Sequence, residues 1–173
     1  MFQIGDTILY GVYGVCAIVD IVKKNFNGEA TDYYVLKPVE EKNSTAFVPV
    51  NGLTAEKFRC LLSADEIYSL IEAMPDEEML YIENELVRRE KFKEIIAEGD
   101  RTELIRLIKT LYLQGRAKRG EGKKLNVMDE RLMKDAEKIL YDEFAHVLNI
   151  EREQVLPFIT EQIEAAKKQA ESL

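Results

Sequence analysis

Apolar and polar residues alternate along most of the first 60 residues, and this two-residue period predicts short β-strands with one buried face. At the start of the chain the apolar positions are Phe2, Ile4, Ile8 and Tyr10. So many strands in so short a segment predict a small, strongly bent sheet or an SH3-like barrel. The predicted strands cover residues 2–10, 15–24, 31–39 and 44–50.

Turn-forming residues separate the predicted strands. Gly11 and Gly14 stand where the chain must turn or bulge, and Asn27-Gly28 is a strong hairpin signal. Pro49 lacks a backbone N–H group, which suits the edge or the end of a strand. A sheet of this size exposes its edge strands, and an exposed edge can accept a strand from a partner protein.

The spacing of the apolar residues lengthens to that of a helix after residue 62. Ser63, with Glu66 three residues later, has the sequence of a capping box. Asp100 and Asn126 are residue types that cap helices, and each precedes another apolar stripe of helical spacing. The second part of the chain is therefore predicted to be a bundle of helices.

Glycine and proline predict where these helices begin and end. A long helix is predicted from Asp76 to Glu98, and Gly99 ends it. Residues 114–126 contain three glycines and five basic residues, a composition that predicts a linker. Pro157 is predicted to break or kink the helix that it enters.

The predicted fold class is α+β, with a bent β domain over residues 1–60 and an α-helical domain over residues 63–170. The 173 residues allow two small domains, and 46% of them are hydrophobic, which is enough to bury a core. No apolar run approaches the ~18 residues of a membrane span. Without such a run or a signal peptide, the predicted location is the cytoplasm, with no membrane partner.

The formal net charge of −8 argues against a general nucleic-acid-coating protein. The charge is uneven, however, because residues 114–134 carry seven basic and three acidic side chains. One basic island in an acidic chain can contact phosphate, although it predicts weak affinity for DNA by itself. A solvated face or a loose loop is an equally acceptable interpretation of this island.

The residues of the chain do not predict an enzyme, a metal site or a cofactor. The one histidine, His146, falls on a predicted helix, and no nucleophile, phosphate-loop or zinc motif occurs in the sequence. Cys16 and Cys60 lack the spacing of metal ligands and are interpreted as reduced thiols, with a disulfide as the alternative. With no small-molecule substrate indicated, binding is the predicted activity. Its candidate aromatic residues in the β domain are Phe26, Tyr34 and Phe47.

The chain resembles the CarD/CdnL family of bacterial transcription regulators, whose β domain also occurs in transcription–repair coupling factors. In the β part the resemblance rests on FxxGDTILY at 2–10, followed by YGV, YYVLKP and VPV. In the helical part it rests on LVRREK at 86–91, EGD, KTLY and LNxxDERLMKDA at 125–136. These segments follow one another in order over nearly all of residues 1–150.

The resemblance implies a Tudor-like N-terminal domain that binds the β subunit of RNA polymerase. It implies in addition that the helical domain binds promoter DNA at the upstream edge of the melted bubble and stabilises the open complex. The polymerase-binding residues that it implies are Lys24, Phe47 and Pro49. Lys24 matches the family in charge, whereas Phe47 stands where some members have an arginine.

The resemblance also implies a DNA-binding surface on the helical domain. Many members place a tryptophan wedge close before the Arg-Arg pair, and Leu86 is the nearest match in this tryptophan-free chain. Leu86 can serve as a smaller apolar wedge, or it can belong to the core. The alternative function is a polymerase-binding adaptor whose helical domain binds another protein. The predicted DNA-binding residues are Leu86, Arg88, Arg89, Lys91, Lys123, Lys124 and Arg131.

Overall fold

In a computed structural model of the chain, residues 1–52 and 57–173 are described, except for the side chain of Val12. The chain forms two compact units, Met1–Leu62 and Ser63–Leu173. The first unit holds an antiparallel sheet and the second is helical, so the α+β prediction is confirmed. None of the helices in the described residues is both long enough and apolar enough to span a membrane.

The sheet of the first unit has five strands in the order β4-β3-β2-β1-β5, with every neighbouring pair antiparallel. One face covers a core built by the alternating apolar residues, and it includes the buried Ile8, Tyr34 and Val48. The two ends of the sheet are the short strands β4 and β5. The strands are β1 (Thr7–Tyr10), β2 (Gly14–Asn25), β3 (Ala30–Pro38), β4 (Ala46–Pro49) and β5 (Arg59–Cys60).

The turns between the first three strands lie at the glycines where the sequence predicted them. A single turn of 3-10 helix, Gly11–Tyr13, joins β1 to β2; Gly11 begins it and Gly14 follows it, with positive φ angles of 43° and 65°. Between β2 and β3, Gly28 has φ of 93° and donates its N–H to Asn25 Oδ1 over 2.7 Å. Ile8 of β1 pairs with Cys16 of β2 on one side and with Cys60 of β5 on the other. The two cysteines are therefore two strand spacings of about 4.8 Å apart, which is too far for a disulfide.

The second unit contains five α-helices in the described residues, and its predicted caps are confirmed. Ser63 and Glu66 form the reciprocal capping box, with N···O distances of 2.7 and 3.1 Å. The side chains of Asp100 and Asn126 accept N–H groups of the first turns that follow them. The helices are α1 (Ala64–Ala73), α2 (Glu85–Glu98), α3 (Arg101–Gly120), α4 (Val127–Leu148) and α5 (Arg152–Glu171).

The predicted helix from Asp76 to Glu98 is wrong in its first half, because α2 begins at Glu85. Contacts with α3 hold the preceding segment in a non-helical path. Leu80 donates its N–H to Thr110 Oγ1 over 2.8 Å, and Lys109 Nζ donates to the Glu77 carbonyl over 2.7 Å and to two carbonyls of the 3-10 turn Met74–Asp76 before it. These carbonyl and N–H groups are thereby satisfied without helical bonds.

The linker predicted over 114–126 is also wrong in its first half, because α3 continues to Gly120. Gly115 is buried, and a Cβ atom there would stand only 3.2 Å from Leu125 Cδ1. That glycine therefore permits close packing of the following loop against the helix. Lys118 and Arg119 lie in the last turn, where positive charge is favourable next to the helix C-terminus.

Pro157 lies inside α5 without ending it, so of the two predicted outcomes the break is wrong and the kink stays a prediction. Val155 and Ile159 on either side are buried in the unit, and this packing offsets the one backbone bond that proline cannot make. One apolar cluster in the core of the helical unit joins α2, α3 and α4. Its fully or nearly buried members are Phe92, Ile95, Leu104, Leu107, Leu111, Leu132, Ala136 and Ile139.

Candidate functional site

The outer face of the sheet carries a cation held against an aromatic ring at the β4 edge. Lys24 Nζ on β2 lies 3.9 Å from the centre of the Phe47 ring on β4, which is a close cation–π contact. Phe47 is 39% exposed although it belongs to a strand. Lys24 and Phe47, predicted separately from the sequence, are therefore in contact.

Two more aromatic rings and a proline continue this outer face. Phe26 in the β2–β3 loop lies 6.1 Å from Phe47 and 5.0 Å from Tyr33, measured between ring centres. Tyr33 is the cross-strand partner of Pro49, so their side chains share one face of the sheet. We call Lys24, Phe26, Tyr33, Phe47 and Pro49 the β4 patch.

The tyrosine pair of β3 was only partly predicted. Tyr34 was a candidate exposed aromatic residue, but it is 2% exposed and belongs to the core. Tyr33 occupies the outer face instead. The alternation of the strand separates the two rings, but the sequence alone does not say which one faces the core.

The backbone of β4 is arranged to pair with another strand. Val50 donates its N–H to Asp32, and this hydrogen-bonded pair fixes the alternation of the antiparallel ladder. Phe47 and Pro49 consequently occupy the non-hydrogen-bonded positions, so their peptide groups point away from β3. The prediction that Pro49 suits an edge strand is confirmed, since its missing N–H is on the open side of the sheet.

In the helical unit, the first turns of α2 and α4 lie side by side. Arg88 of α2 donates to Asp129 Oδ2 of α4 over 3.0 Å. Asn126, the cap of α4, donates to the same Asp129 oxygen and lies 3.4 Å from Glu85 Oε1. The N-termini of α2 and α4 therefore lie at the same end of the unit, which we call the N-terminal end of the bundle.

The two arginines predicted to contact DNA are engaged inside this unit. The Arg88 side chain is 15% exposed and that of Asp129 is 1% exposed, so their ion pair is largely buried. Arg89 donates to Glu85 Oε1 over 2.6 Å. The Nε atoms of both arginines are buried with no hydrogen-bond partner. Arg88 is thus a link between α2 and α4, a role that the sequence analysis did not identify.

The remaining predicted cations lie on open surface. Lys123 and Lys124 are exposed in the loop that joins the end of α3 to the start of α4, at the N-terminal end of the bundle. Lys123 Nζ is 4.0 Å from Glu121, a contact that contributes little at the surface. Arg131, one turn into α4, is exposed, and Lys91 is half exposed.

Leu86 is 73% exposed, so the interpretation that assigned it to the core is wrong. The next residue of α2, Val87, is exposed as well. On α4, Met128 is 37% exposed although it stands one helical turn before the buried Leu132, and Val127 beside it is exposed too. The available signal was position. Val127 and Met128 directly follow the cap Asn126, and Leu86 and Val87 follow the cap Asn84 after one residue, so both pairs lie in the first turn of a helix.

Comparison with known families covers both units. The model described as "CarD-like/TRCF RID domain" matches residues 2–55, and the model "CarD, C-terminal domain" matches residues 68–160, more than half of the chain. This chain belongs to the CarD family of transcription factors. The resemblance noted in the sequence is therefore confirmed, and both candidate surfaces lie within matched segments.

A relative of this CarD family protein comes from Bacillus subtilis (strain 168) and is named "Putative transcription factor YdeB". The two proteins are 36% identical over 59 residues. That stretch is 34% of this chain and 38% of the relative, so the likeness covers well under two thirds of either protein.

The described parts of this CarD family protein contain no cluster of three histidine, cysteine, aspartate or glutamate side chains suited to a metal ion. What the two surfaces offer chemically is recognition: an aromatic and cationic patch on a sheet edge, and an apolar and cationic end on a helical bundle.

Proposed function

We propose that this protein is a non-enzymatic transcription regulator that binds the β subunit of RNA polymerase through its first 60 residues. Its helical unit, residues 63–170, contacts promoter DNA at the upstream edge of the bubble and so stabilises the open complex. The observation that carries the proposal is that Lys24 of β2 contacts Phe47 on the edge strand β4, which also holds Pro49. That strand lies in the segment matched by the domain shared with transcription–repair coupling factors.

The β4 patch has the chemistry of a docking site for protein. Phe47 and Pro49 direct backbone groups outward, where an extended segment of the polymerase subunit could add a strand. The Phe26, Tyr33 and Phe47 rings supply rigid apolar area, which dominates the affinity of protein interfaces. The Lys24 ammonium adds one positive charge that selects an acidic or carbonyl-rich partner.

The N-terminal end of the bundle has the chemistry for DNA. Exposed Lys123, Lys124 and Arg131 can neutralise phosphates, which requires charge and not a fixed geometry. The N-termini of α2 and α4 lie here, but the first-turn acids Glu85, Asp129 and Glu130 offset the positive ends of their dipoles, so the phosphate contact is assigned to the exposed side chains. Leu86 supplies an apolar side chain of the kind that enters an unstacked base step.

An acidic protein needs an anchor to remain near DNA. The net charge of −8 repels phosphate at long range, so the exposed cations alone predict weak binding. Docking on polymerase converts DNA contact into an intramolecular step at an effective concentration of the order of millimolar. The two units therefore have separate tasks, and each depends on the other for the effect on transcription.

The proposal is tested by two measurements on the purified protein. Binding to a fragment of the polymerase β subunit is measured by calorimetry, and the lifetime of promoter open complexes is measured after adding a competitor. We expect micromolar or tighter binding and a longer lifetime than with polymerase alone. Absence of binding at micromolar concentration would refute the docking step, and an unchanged lifetime would refute the DNA step.

The second candidate function is an adaptor that binds polymerase and presents its helical unit to another protein. The internal pairing of Arg88 with Asp129 and of Arg89 with Glu85 favours it, because it removes two cations from the phosphate-binding set. The open-complex lifetime separates the two functions. An adaptor would bind the β subunit and leave that lifetime unchanged.

Changing Leu86 to tryptophan is expected to lengthen the open-complex lifetime without lowering the melting temperature. Leu86 is 73% exposed, so the larger ring does not have to fit into a packed core. Tryptophan adds stacking area at the base step, which is worth about 1–3 kcal/mol per stacked base. A matched control is Leu156→Trp on α5, which is expected to leave the lifetime unchanged. A lower melting temperature with no gain in lifetime would contradict the assignment of Leu86 to DNA.

A further inference from the structure

An apolar cleft of about 420 Å³ lies in the helical unit and is lined by residues of α3, α4 and α5. Ile105 and Ile108 of α3 and Ile159 and Ile163 of α5 supply much of its apolar lining. Sites for small molecules have volumes of about 300–1,000 Å³, are mostly apolar and often lie between the helices of a bundle. The cleft therefore has the size, the lining and the place of such a site.

Most polar side chains of the cleft are already bonded or lie in open solvent. Lys109 uses its three N–H donors on backbone carbonyls at distances of 2.7, 2.8 and 3.1 Å. Thr160 donates its hydroxyl to the Leu156 carbonyl over 3.0 Å. Lys167 is exposed near the end of α5. The polar groups that can select a ligand inside the cleft are therefore those of α4.

Glu137 and Tyr141, one helical turn apart on α4, are these polar groups. No hydrogen bond or ion pair among the described residues involves either side chain. Tyr141 is only 9% exposed, and Glu137 is half-buried. A buried tyrosine hydroxyl normally has a hydrogen-bond partner. Two polar groups without one, side by side in an apolar cleft, indicate a ligand that supplies it.

The charge state of the pair indicates the chemistry of that ligand. Burial raises the pKa of the Glu137 carboxyl, although Arg152 and Lys134 act in the opposite direction. Each of those two cations has another acid as its ion-pair partner. Burial also raises the pKa of the Tyr141 hydroxyl, and the neighbouring Glu137 carboxylate raises it further. A positive charge brought into the cleft would stabilise the Glu137 carboxylate.

We propose that this cleft binds a small apolar amine, with its hydrocarbon body among the isoleucines and its ammonium group bonded to Glu137 and Tyr141. An ionised carboxylate only accepts hydrogen bonds and a phenol oxygen can accept one, so a charged donor complements both groups. Tyr112, which is 48% exposed and also lines the cleft, adds an aromatic face that attracts a cation.

The positive side chains of the cleft do not make it a site for an anion. All three donors of Lys109 are taken by carbonyls, so it has none to offer. The exposed charge of Lys167 is screened by solvent and salt. The Glu137 carboxylate, in contrast, is desolvated and would repel a second negative charge.

The inference goes beyond the proposed function and does not depend on it. None of the residues that line the cleft belongs to the β4 patch or to the predicted DNA-binding set. The site also lies within one of the two units, so it needs no particular arrangement of the units.

The test measures the binding of decylamine to the full-length chain by calorimetry, below the concentration at which the probe forms micelles. Decanol and decanoate, with the same chain length and a different charge, are the comparison probes. Decylamine is expected to bind about ten-fold more tightly than decanol, because hydrogen bonds to a charged group add to the apolar contact. Decanoate is expected to bind more weakly than either.

Variants assign the binding to the α4 pair. Glu137→Gln keeps the shape of the side chain, and it is expected to lower the affinity for decylamine about ten-fold without changing that for decanol. Tyr141→Phe is expected to cause a smaller loss, of about three-fold. Glu161→Gln is the control, because this exposed acid of α5 lies outside the cleft and loses the same charge. It is expected to bind decylamine as the unchanged protein does, which excludes general attraction to a chain of net charge −8.

Three results would overturn the inference: no binding of decylamine, equal or tighter binding of decanol or decanoate, or equal losses in the Glu137 and Glu161 variants. The melting temperature of Glu137→Gln is expected to match that of the unchanged protein, so a loss of affinity cannot come from unfolding. These experiments use neither polymerase nor DNA. Their failure would leave the proposed function standing, and failure of the proposed function would leave the amine site standing.

Discussion

Replacing Arg88 with methionine is expected to lower the free energy of unfolding of the helical unit by about 3–5 kcal/mol. The change leaves the Asp129 carboxylate in a site where it is 1% exposed, with Asn126 as its remaining partner. A buried carboxylate without a countercharge is costly, since neither water nor another cation compensates it. Urea denaturation followed by far-ultraviolet circular dichroism measures the change.

Lys91→Met is the matched control for this prediction. Lys91 is on the same helix and loses the same charge, but its side chain is 50% exposed and its partner Glu94 is 3.7 Å away. Its expected effect is within about 0.5 kcal/mol. Equal stability of the two variants would show that Arg88 does not hold α2 to α4. Arg88 would then count again among the exposed cations that are candidates for phosphate contact.

Changing Phe47 to alanine is expected to weaken binding to the polymerase β subunit by about 2 kcal/mol, roughly thirty-fold. The ring lies against Lys24 and Phe26 at the centre of the β4 patch, so its loss removes apolar contact and leaves the ammonium of Lys24 without its aromatic support. Calorimetry with the β-subunit fragment measures the dissociation constant.

Val19→Ala is the control for Phe47. Val19 is 41% exposed on β2 of the same sheet, five residues away from Lys24 along the strand, which is about 16 Å. Its expected effect on binding is small, and neither change is expected to lower the melting temperature by more than a few degrees. Unchanged affinity of the Phe47 variant, or an equal loss in the Val19 variant, would contradict the assignment of the docking site to the β4 edge.

Local signals in the sequence were sufficient to predict most of the fold. The strand alternation, the Asn-Gly turn and the three helix caps each involve residues within about three positions of one another. The interactions that form them can therefore be predicted from neighbouring residues alone. The helix predicted over residues 76–84 failed because Thr110 and Lys109, some 30 positions away, bind its backbone groups. Such contacts cannot be read from periodicity.

The candidate site shows the same division between local and distant information. Lys24 and Phe47 could be named from the family resemblance, but their contact could not, because the sheet register sets Lys24 level with Thr31 and Phe47 level with Val35. The pairing of Arg88 with Asp129 spans 41 positions, and a basic pair on a helix looks the same in sequence whether it faces phosphate or a buried acid. Helical spacing likewise does not show that Val127 and Met128 are exposed, because that depends on how the end of α4 packs against the rest of the unit.

The central claim is that docking through the sheet and DNA contact through the helical unit are separate tasks. The most direct test compares Lys123→Glu/Lys124→Glu with Phe47→Ala in two assays, β-subunit binding and open-complex lifetime. Lys123→Arg/Lys124→Arg, which keeps both charges, is the control and is expected to behave as the unchanged protein.

We predict that both variants shorten the open-complex lifetime, but that only Phe47→Ala loses affinity for the β subunit. At saturating protein the Phe47 variant is expected to recover the lifetime, whereas the charge-reversed variant is not, because its DNA contact itself is damaged. Equal loss of β-subunit binding in the two variants would contradict the account.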